Sequence, residues 1–165
     1  MPEVQKVNPY SKGSDVQGLL VATFEHSLDP KWRLTIPASW REIMGMPGYL
    51  YAMIAPQKGN LLVLFPPLEM ERMVQKLREL PMTTPGRMEA MRYIGSNSEQ
   101  VFFDVQGRIR VSDRLLRAGR LTDRQEKVVL LGALDRIELW PKSLAPQTEE
   151  IKGEEMLNAF QMVGF

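Results

Sequence analysis

Asp29-Pro-Lys-Trp-Arg-Leu-Thr-Ile-Pro37 is written a second time, in altered form, as Asp104-Val-Gln-Gly-Arg-Ile-Arg-Val-Ser112. Each copy sets an acidic residue, three spacers and an arginine before an alternating run that leads into a helix start. Asp29 and Asp104 are 75 residues apart, as are Arg33 and Arg108, and Leu64-Phe65-Pro66 returns at the same offset as Leu139-Trp140-Pro141. Two stretches held in register over that distance imply a duplicated supersecondary unit. Each half reads strand, turn, strand, short helix, strand, strand.

In the first half, alternation predicts a strand over Leu19 to Leu28, with Leu20, Ala22, Phe24, His26 and Leu28 on one side. His26 on that side reads as a half-buried packing residue, not a catalytic one. Asp29-Pro30 opens a turn, because Asp bonds its own backbone and Pro presets φ. Arg33 to Ile36 resumes the extended pattern. Pro37 suits the first position of a short helix, with Trp40, Ile43 and Met44 as its buried stripe and Gly45 as its stop. Strands follow at Tyr49 to Ala55 and Leu61 to Phe65, joined by a turn at Gln57-Lys58-Gly59-Asn60.

Between the halves, Leu68 to Leu80 is amphipathic, with Met70, Met73, Val74 and Leu77 on one face. A linker runs from Pro81 to Gly86, and Arg87 to Tyr93 adds a helical turn or two. In the second half, Val101 and Phe103 carry the first strand, Ser112 caps a helix that buries Leu115 and Leu116, and Gly119 ends it. Lys127 to Ala133 and Arg136 to Trp140 are strands around a Leu134-Asp135 turn. The resulting division is a flexible leader (1–17), a first repeat (18–67), a connecting helix and linker (68–94), a second repeat (95–142) and a tail or helix (143–165) edged by Met156, Leu157 and Phe160.

Composition narrows the function. The 165 residues are 44% hydrophobic and 25% charged, ordinary for a globular chain, and the formal net charge is only +1. Binding to a polyanion therefore requires arginines gathered on one face, or an oligomer that arrays them. Without cysteine there is no disulfide or thiolate site, and a single histidine disfavours a His-rich metal site or a Ser/His/Asp triad. No phosphate-cradling glycine loop, nucleophile–His pair or metal-ligand spacing appears. An enzyme is disfavoured, and no metal, cofactor or small-molecule substrate is expected. Glu149, Glu150, Glu154 and Glu155 read as a solvated run. The first 18 residues lack a signal-peptide pattern, and no apolar run reaches the roughly 18 residues of a membrane span, so a cytoplasmic protein without membrane contact is expected.

The repeated motif carries the chemistry. Its apolar side packs inward, which leaves Arg33 in one half and Arg108 and Arg110 in the other facing out. A planar guanidinium grips a phosphate or a guanine edge with two N–H groups at once. Asp29 and Asp104 either accept backbone N–H bonds that hold the loop or pair with the arginine and fix its direction. The competing reading is a loop-closing ion pair on a solvated surface; two copies in register argue against it. Arg114, Arg117, Arg120 and Arg124 read as a solvated helix and loop surface, with an extension of the same basic face as the alternative.

These half-patterns resemble the SpoVT/AbrB-type DNA-binding element, and their tandem arrangement resembles the MraZ family of bacterial regulators of the division and cell-wall gene cluster. The resemblance rests on Phe24-Glu-His-Ser-Leu-Asp-Pro-Lys-Trp-Arg-Leu-Thr-Ile-Pro37, Arg92-Tyr-Ile-Gly-Ser96, Asp104-Val-Gln-Gly-Arg-Ile109, Val128-Val-Leu-Leu-Gly132 and Asp135-Arg-Ile-Glu-Leu-Trp140. It covers residues 18–145. It implies an α+β, β-rich fold: a swapped-hairpin, AbrB-like barrel built from two tandem repeats with flanking helices. It also implies a ring-like homo-oligomer that binds direct repeats in promoter DNA and associates with the nucleoid. The DNA-facing residues it implies are Arg33 and Arg108, then Lys31 and Arg110, supported by Asp29, Asp104 and Gly107.

The first copy departs from the pattern at Trp32, where the second has Gly107. If the position needs φ > 0, an L-residue there costs on the order of 1 kcal/mol. Trp32 then either reshapes the turn, packs over it, or stacks on a neighbour or a DNA sugar. A scaffold protein that kept the fold and lost DNA affinity is the alternative function, and Trp32 is its support.

Overall fold

The two motif copies meet as adjacent strands. In the computed structural model, which describes residues 18–56, 59–147 and 153–164, the chain forms β1 (Thr23–His26), β2 (Arg33–Thr35), α1 (Ala38–Ile43), β3 (Tyr49–Ala55) and β4 (Leu61–Phe65). Next come α2 (Pro67–Glu79), α3 (Arg87–Asn97), β5 (Glu99–Phe102), β6 (Arg108–Arg110), α4 (Asp113–Ala118), β7 (Val128–Gly132), β8 (Ile137–Pro141) and α5 (Glu154–Met162). The leader, Gln57 and Lys58 of the expected turn, and Glu149 and Glu150 lie outside the described residues.

The expected α+β, β-rich architecture forms, with an exchange at its centre. One antiparallel sheet has the order β1-β7-β8-β4-β3-β5, and β2 pairs with β6 in a separate ribbon. Each half's first strand thus joins the other half's hairpin, β1 on β7 and β5 on β3. Interchanging the halves reverses the strand order onto itself. The registers obey the same relation: Leu62 opposes Leu139 while Leu64 opposes Ile137, and Leu34 faces Ile109 at the pseudo-twofold centre. The expected barrel is not closed among the described residues; β1 and β5 remain the edges of the sheet.

The repeat offset holds except in one strand. Phe65 faces Tyr51, whereas Trp140 faces Val129, so β7 lies 78 residues after its counterpart β3, not 75. The second half inserts three residues after α4 and removes them in the tighter β7–β8 turn.

Burial follows from the sheet having two covered faces. Leu62 and Leu64 join one cluster with Leu34, Ile36, Trp40, Ile109, Val111 and Leu115. Leu61, Val63 and Phe65 join the other, where Met70, Met73, Val74, Tyr93 and Ile94 of the helices pack. A strand buried on both sides must read as an unbroken apolar run, which is the Leu61–Phe65 pattern. Arg87, at the start of α3, donates Nε–H to the Leu77 carbonyl at 3.2 Å, placing a cation at the C-terminal end of α2.

Two local expectations change. The strand expected over Leu19 to Leu28 is hydrogen-bonded as a strand only at Thr23–His26, with Leu20 bridging Leu134 beyond a break at Ala22, φ +76°. Ala22 is exposed there. The break lies where two backbones come close: Gly132 N–H donates to the Ala22 carbonyl at 3.0 Å, and a Cβ on Gly132 would stand 2.6 Å from the Leu20 carbonyl oxygen. The turn or two expected after Arg87 is a helix through Asn97, with Gly95 inside it. His26 is half-buried, as expected.

Candidate nucleic-acid interface

Each motif folds into the same hydrogen-bonded loop. Asp29 Oδ1 accepts from the N–H groups of Lys31 (2.9 Å) and Arg33 (2.8 Å), and its Oδ2 accepts from Arg33 Nε at 2.7 Å. Asp104 Oδ1 accepts from Gln106 (2.9 Å) and Arg108 (2.9 Å), and its Oδ2 from Arg108 Nε at 2.7 Å. The backbone closes both loops alike, Trp32 N–H to Asp29 carbonyl at 2.8 Å and Gly107 N–H to Asp104 carbonyl at 3.0 Å. Both roles envisaged for the aspartates are therefore filled at once: one oxygen holds the loop and the other aims the arginine.

The carboxyl groups respond electrostatically. Desolvation is the largest influence on Asp29 and raises its pKa, but donation from Arg33 and Lys31 together outweighs it and holds the carboxyl below the usual range. At Asp104, the Arg108 N–H bond is the largest influence, and the carboxyl is likewise held low.

The ribbon brings the loops together. Leu34 and Ile109 point into the core, so the outward face carries Arg33 opposite Arg110 and Thr35 opposite Arg108. Arg108 also approaches the other half's carboxylate, Nη1 to Asp29 Oδ2 at 3.8 Å. The side chains of Arg33 and Arg108 are 30% and 24% exposed, on the same face of the ribbon. Arg110 sits on the same ribbon but is paired with Asp113 at 2.8 Å and also donates to the Val111 carbonyl. Lys31 is exposed at the first loop's tip.

Trp32 takes φ +61° and Gly107 φ +77°, so the tryptophan does not reshape its turn. Its ring packs against the core cluster, and the Arg124 guanidinium lies over it at 5.5 Å from the ring centre. Gly107 is covered differently. A Cβ there would stand 2.4 Å from Arg41 Cζ, and Arg41 also donates Nε–H to the Ile36 carbonyl at 3.2 Å.

Sequence reasoning did not find Arg41, because its contact with Gly107 crosses between the halves and leaves no local spacing. Arg124 was read as solvated surface. Its position over Trp32 depends on the path of the chain after α4, which no motif encodes. Among the described residues, no cluster of three or more His, Cys, Asp or Glu side chains is placed to hold a metal ion, and no helix is long and apolar enough to cross a membrane.

No protein-family model matches the chain. It is similar to the transcriptional regulator MraZ of Syntrophobacter fumaroxidans, 35% identical over 135 residues that cover 82% of this chain and 81% of the relative. The transcriptional regulator MraZ of Pelotomaculum thermopropionicum is 33% identical over 138 residues, 82% of this chain and 87% of the relative. That of Saccharopolyspora erythraea is 34% identical over 122 residues, 74% and 80%.

Proposed function

Because this chain belongs to the MraZ family of transcriptional regulators, we propose that it regulates transcription by binding promoter DNA through the paired loops of the β2–β6 ribbon. The observation that carries this reading is the position of Arg33 and Arg108 on one exposed ribbon, each aimed by a carboxylate of its own loop. A guanidinium fixed in this way loses little freedom when it meets a phosphate or a guanine edge, so more of the contact energy is available for binding.

One ribbon is a small, salt-sensitive grip, and a formal net charge of +1 adds little long-range attraction. The protein acts as a ring-like homo-oligomer on direct repeats in the promoter of the division and cell-wall genes. Linking copies makes each later contact intramolecular and raises avidity by roughly a hundredfold or more where repeat spacing matches the ring. The DNA-bound protein is then associated with the nucleoid. The test is a gel-shift titration of the full chain on the DNA upstream of its own gene, with a scrambled duplex as competitor. Selective retention is expected, in steps that follow the number of repeats; equal retention of both duplexes overturns the reading.

A further inference from the structure

The two loops share one backbone conformation and carry opposite chemistry at their tips. Resting on the DNA-binding reading above, we propose that the pair is polar: the Val105-Gln106 tip reads base edges, while Lys31 and Arg124 at the Trp32 tip hold phosphate.

The second tip is neutral and fully exposed. Val105 is 102% exposed, and Gln106 is exposed with its backbone N–H already bound to Asp104 Oδ1 at 2.9 Å. The Gln106 carboxamide has no partner among the described residues. A primary amide matches adenine N6 and N7 in the major groove, and an apolar side chain matches the thymine methyl group. Neither side chain carries a charge, so this tip adds nothing to counterion release, and its amide and methyl groups match base edges. The cation beside it, Arg41, is half-buried and has its Nε–H bound to the Ile36 carbonyl.

The first tip is cationic. Lys31 and Arg124 are exposed and form no ion pair among the described residues, while Arg33 is neutralised by Asp29 and Arg110 by Asp113. Uncompensated charge is what displaces counterions from DNA. The 5.5 Å stacking over Trp32 holds the Arg124 guanidinium at the loop instead of leaving it free to wander. A tryptophan at a position that otherwise favours glycine thereby has a use, as the platform for that cation. A symmetric ribbon would suit an inverted repeat. Unequal tips give each chain a direction along the duplex, which suits repeats that all run the same way.

The test selects a randomised duplex pool with the full chain and sequences what is retained, for the wild type, for Val105→Ala with Gln106→Ala, and for Lys31→Ala with Arg124→Ala. The first variant is expected to lose base preference at one or two A·T positions, with roughly tenfold weaker binding to the wild-type consensus. Its affinity for the unselected pool and its salt slope stay unchanged. The second variant is expected to keep the consensus, bind every duplex more weakly, and lose about one unit of salt slope per cation. A consensus that survives the first variant intact overturns the proposal, as does a consensus altered by the second. A wild-type chain that retains no DNA overturns the DNA-binding reading with it, whereas a wild-type consensus unmoved by either variant overturns the polar tips alone.

Discussion

Asp29 and Arg108 belong to different halves of the chain, yet Asp29 Oδ2 lies 3.8 Å from Arg108 Nη1. The contact is a consequence of the β2–β6 pairing, which sets Arg108 opposite Thr35, two residues past Arg33. It joins the two loops into one surface, so a change in either loop is felt by both.

Arg108→Ala is expected to weaken promoter binding about tenfold or more without unfolding the chain, since the side chain lies on the outer face of the ribbon. It also leaves the Asp104 carboxylate unneutralised beside the DNA, which adds to the loss. Gel-shift titration at matched salt, with circular dichroism of the same sample, checks both halves of the expectation. Unchanged affinity removes Arg108 from the interface.

Gly107→Val is expected to destabilise the fold by about 1–2 kcal/mol, because a β-branched residue at φ +77° is strained and its side chain meets Arg41. Trp32→Gly relieves a similar strain at φ +61° but gives up the packing on the core and under Arg124, so its net effect is expected to be small. Thermal denaturation of the two variants side by side makes the comparison. A larger loss from Trp32→Gly than from Gly107→Val would show that packing, not backbone strain, dominates these tips.

Asp29 and Asp104 both have folded pKa values below the ordinary carboxylate value. The stability they contribute is complete above the unfolded pKa near ~3.9 and is lost as pH falls below it, through the depressed folded values. An acid titration of folding is therefore expected to steepen below about pH 4. The double variant Asp29→Asn with Asp104→Asn should be less stable than wild type at pH 7 and show a shallower acid limb. Parallel limbs in the two proteins would mean that the aspartates are not linked to folding.

Leu34 and Ile109, which face each other at the pseudo-twofold centre, are 2% and 1% exposed. Leu34→Ala is expected to cost about 2–5 kcal/mol by leaving a cavity under the ribbon, and to weaken DNA binding although residue 34 faces away from solvent. Urea denaturation measures the first effect. Binding that stays at the wild-type level in a variant shown to be folded would separate the ribbon's seat from its function.

Several features were legible in the sequence because their causes are local. The Asp-x-x-x-Arg loops form from hydrogen bonds within five residues. Leu61 to Phe65 announced an apolar strand, which the fold buries on both faces, and Ser112 announced a helix cap, which its hydroxyl provides to Leu115 N–H at 3.3 Å. Trp32 left several readings open, and the structure separates them: the residue sits at positive φ, packs on the core and lies under Arg124, and the loop keeps its shape.

The sequence by itself determined the repeat, the outward arginines and the carboxylates that aim them, because alternation and short hydrogen-bonded loops are properties of neighbouring residues. The tertiary structure alone decided that β1 would pair with β7 and β5 with β3, that the sheet would stay open, and that Arg41 and Arg124 would each reach a loop of the other half. Exchange between halves is selected by the burial of one shared core, and that free energy depends on which surfaces meet in space. No spacing along the chain records it.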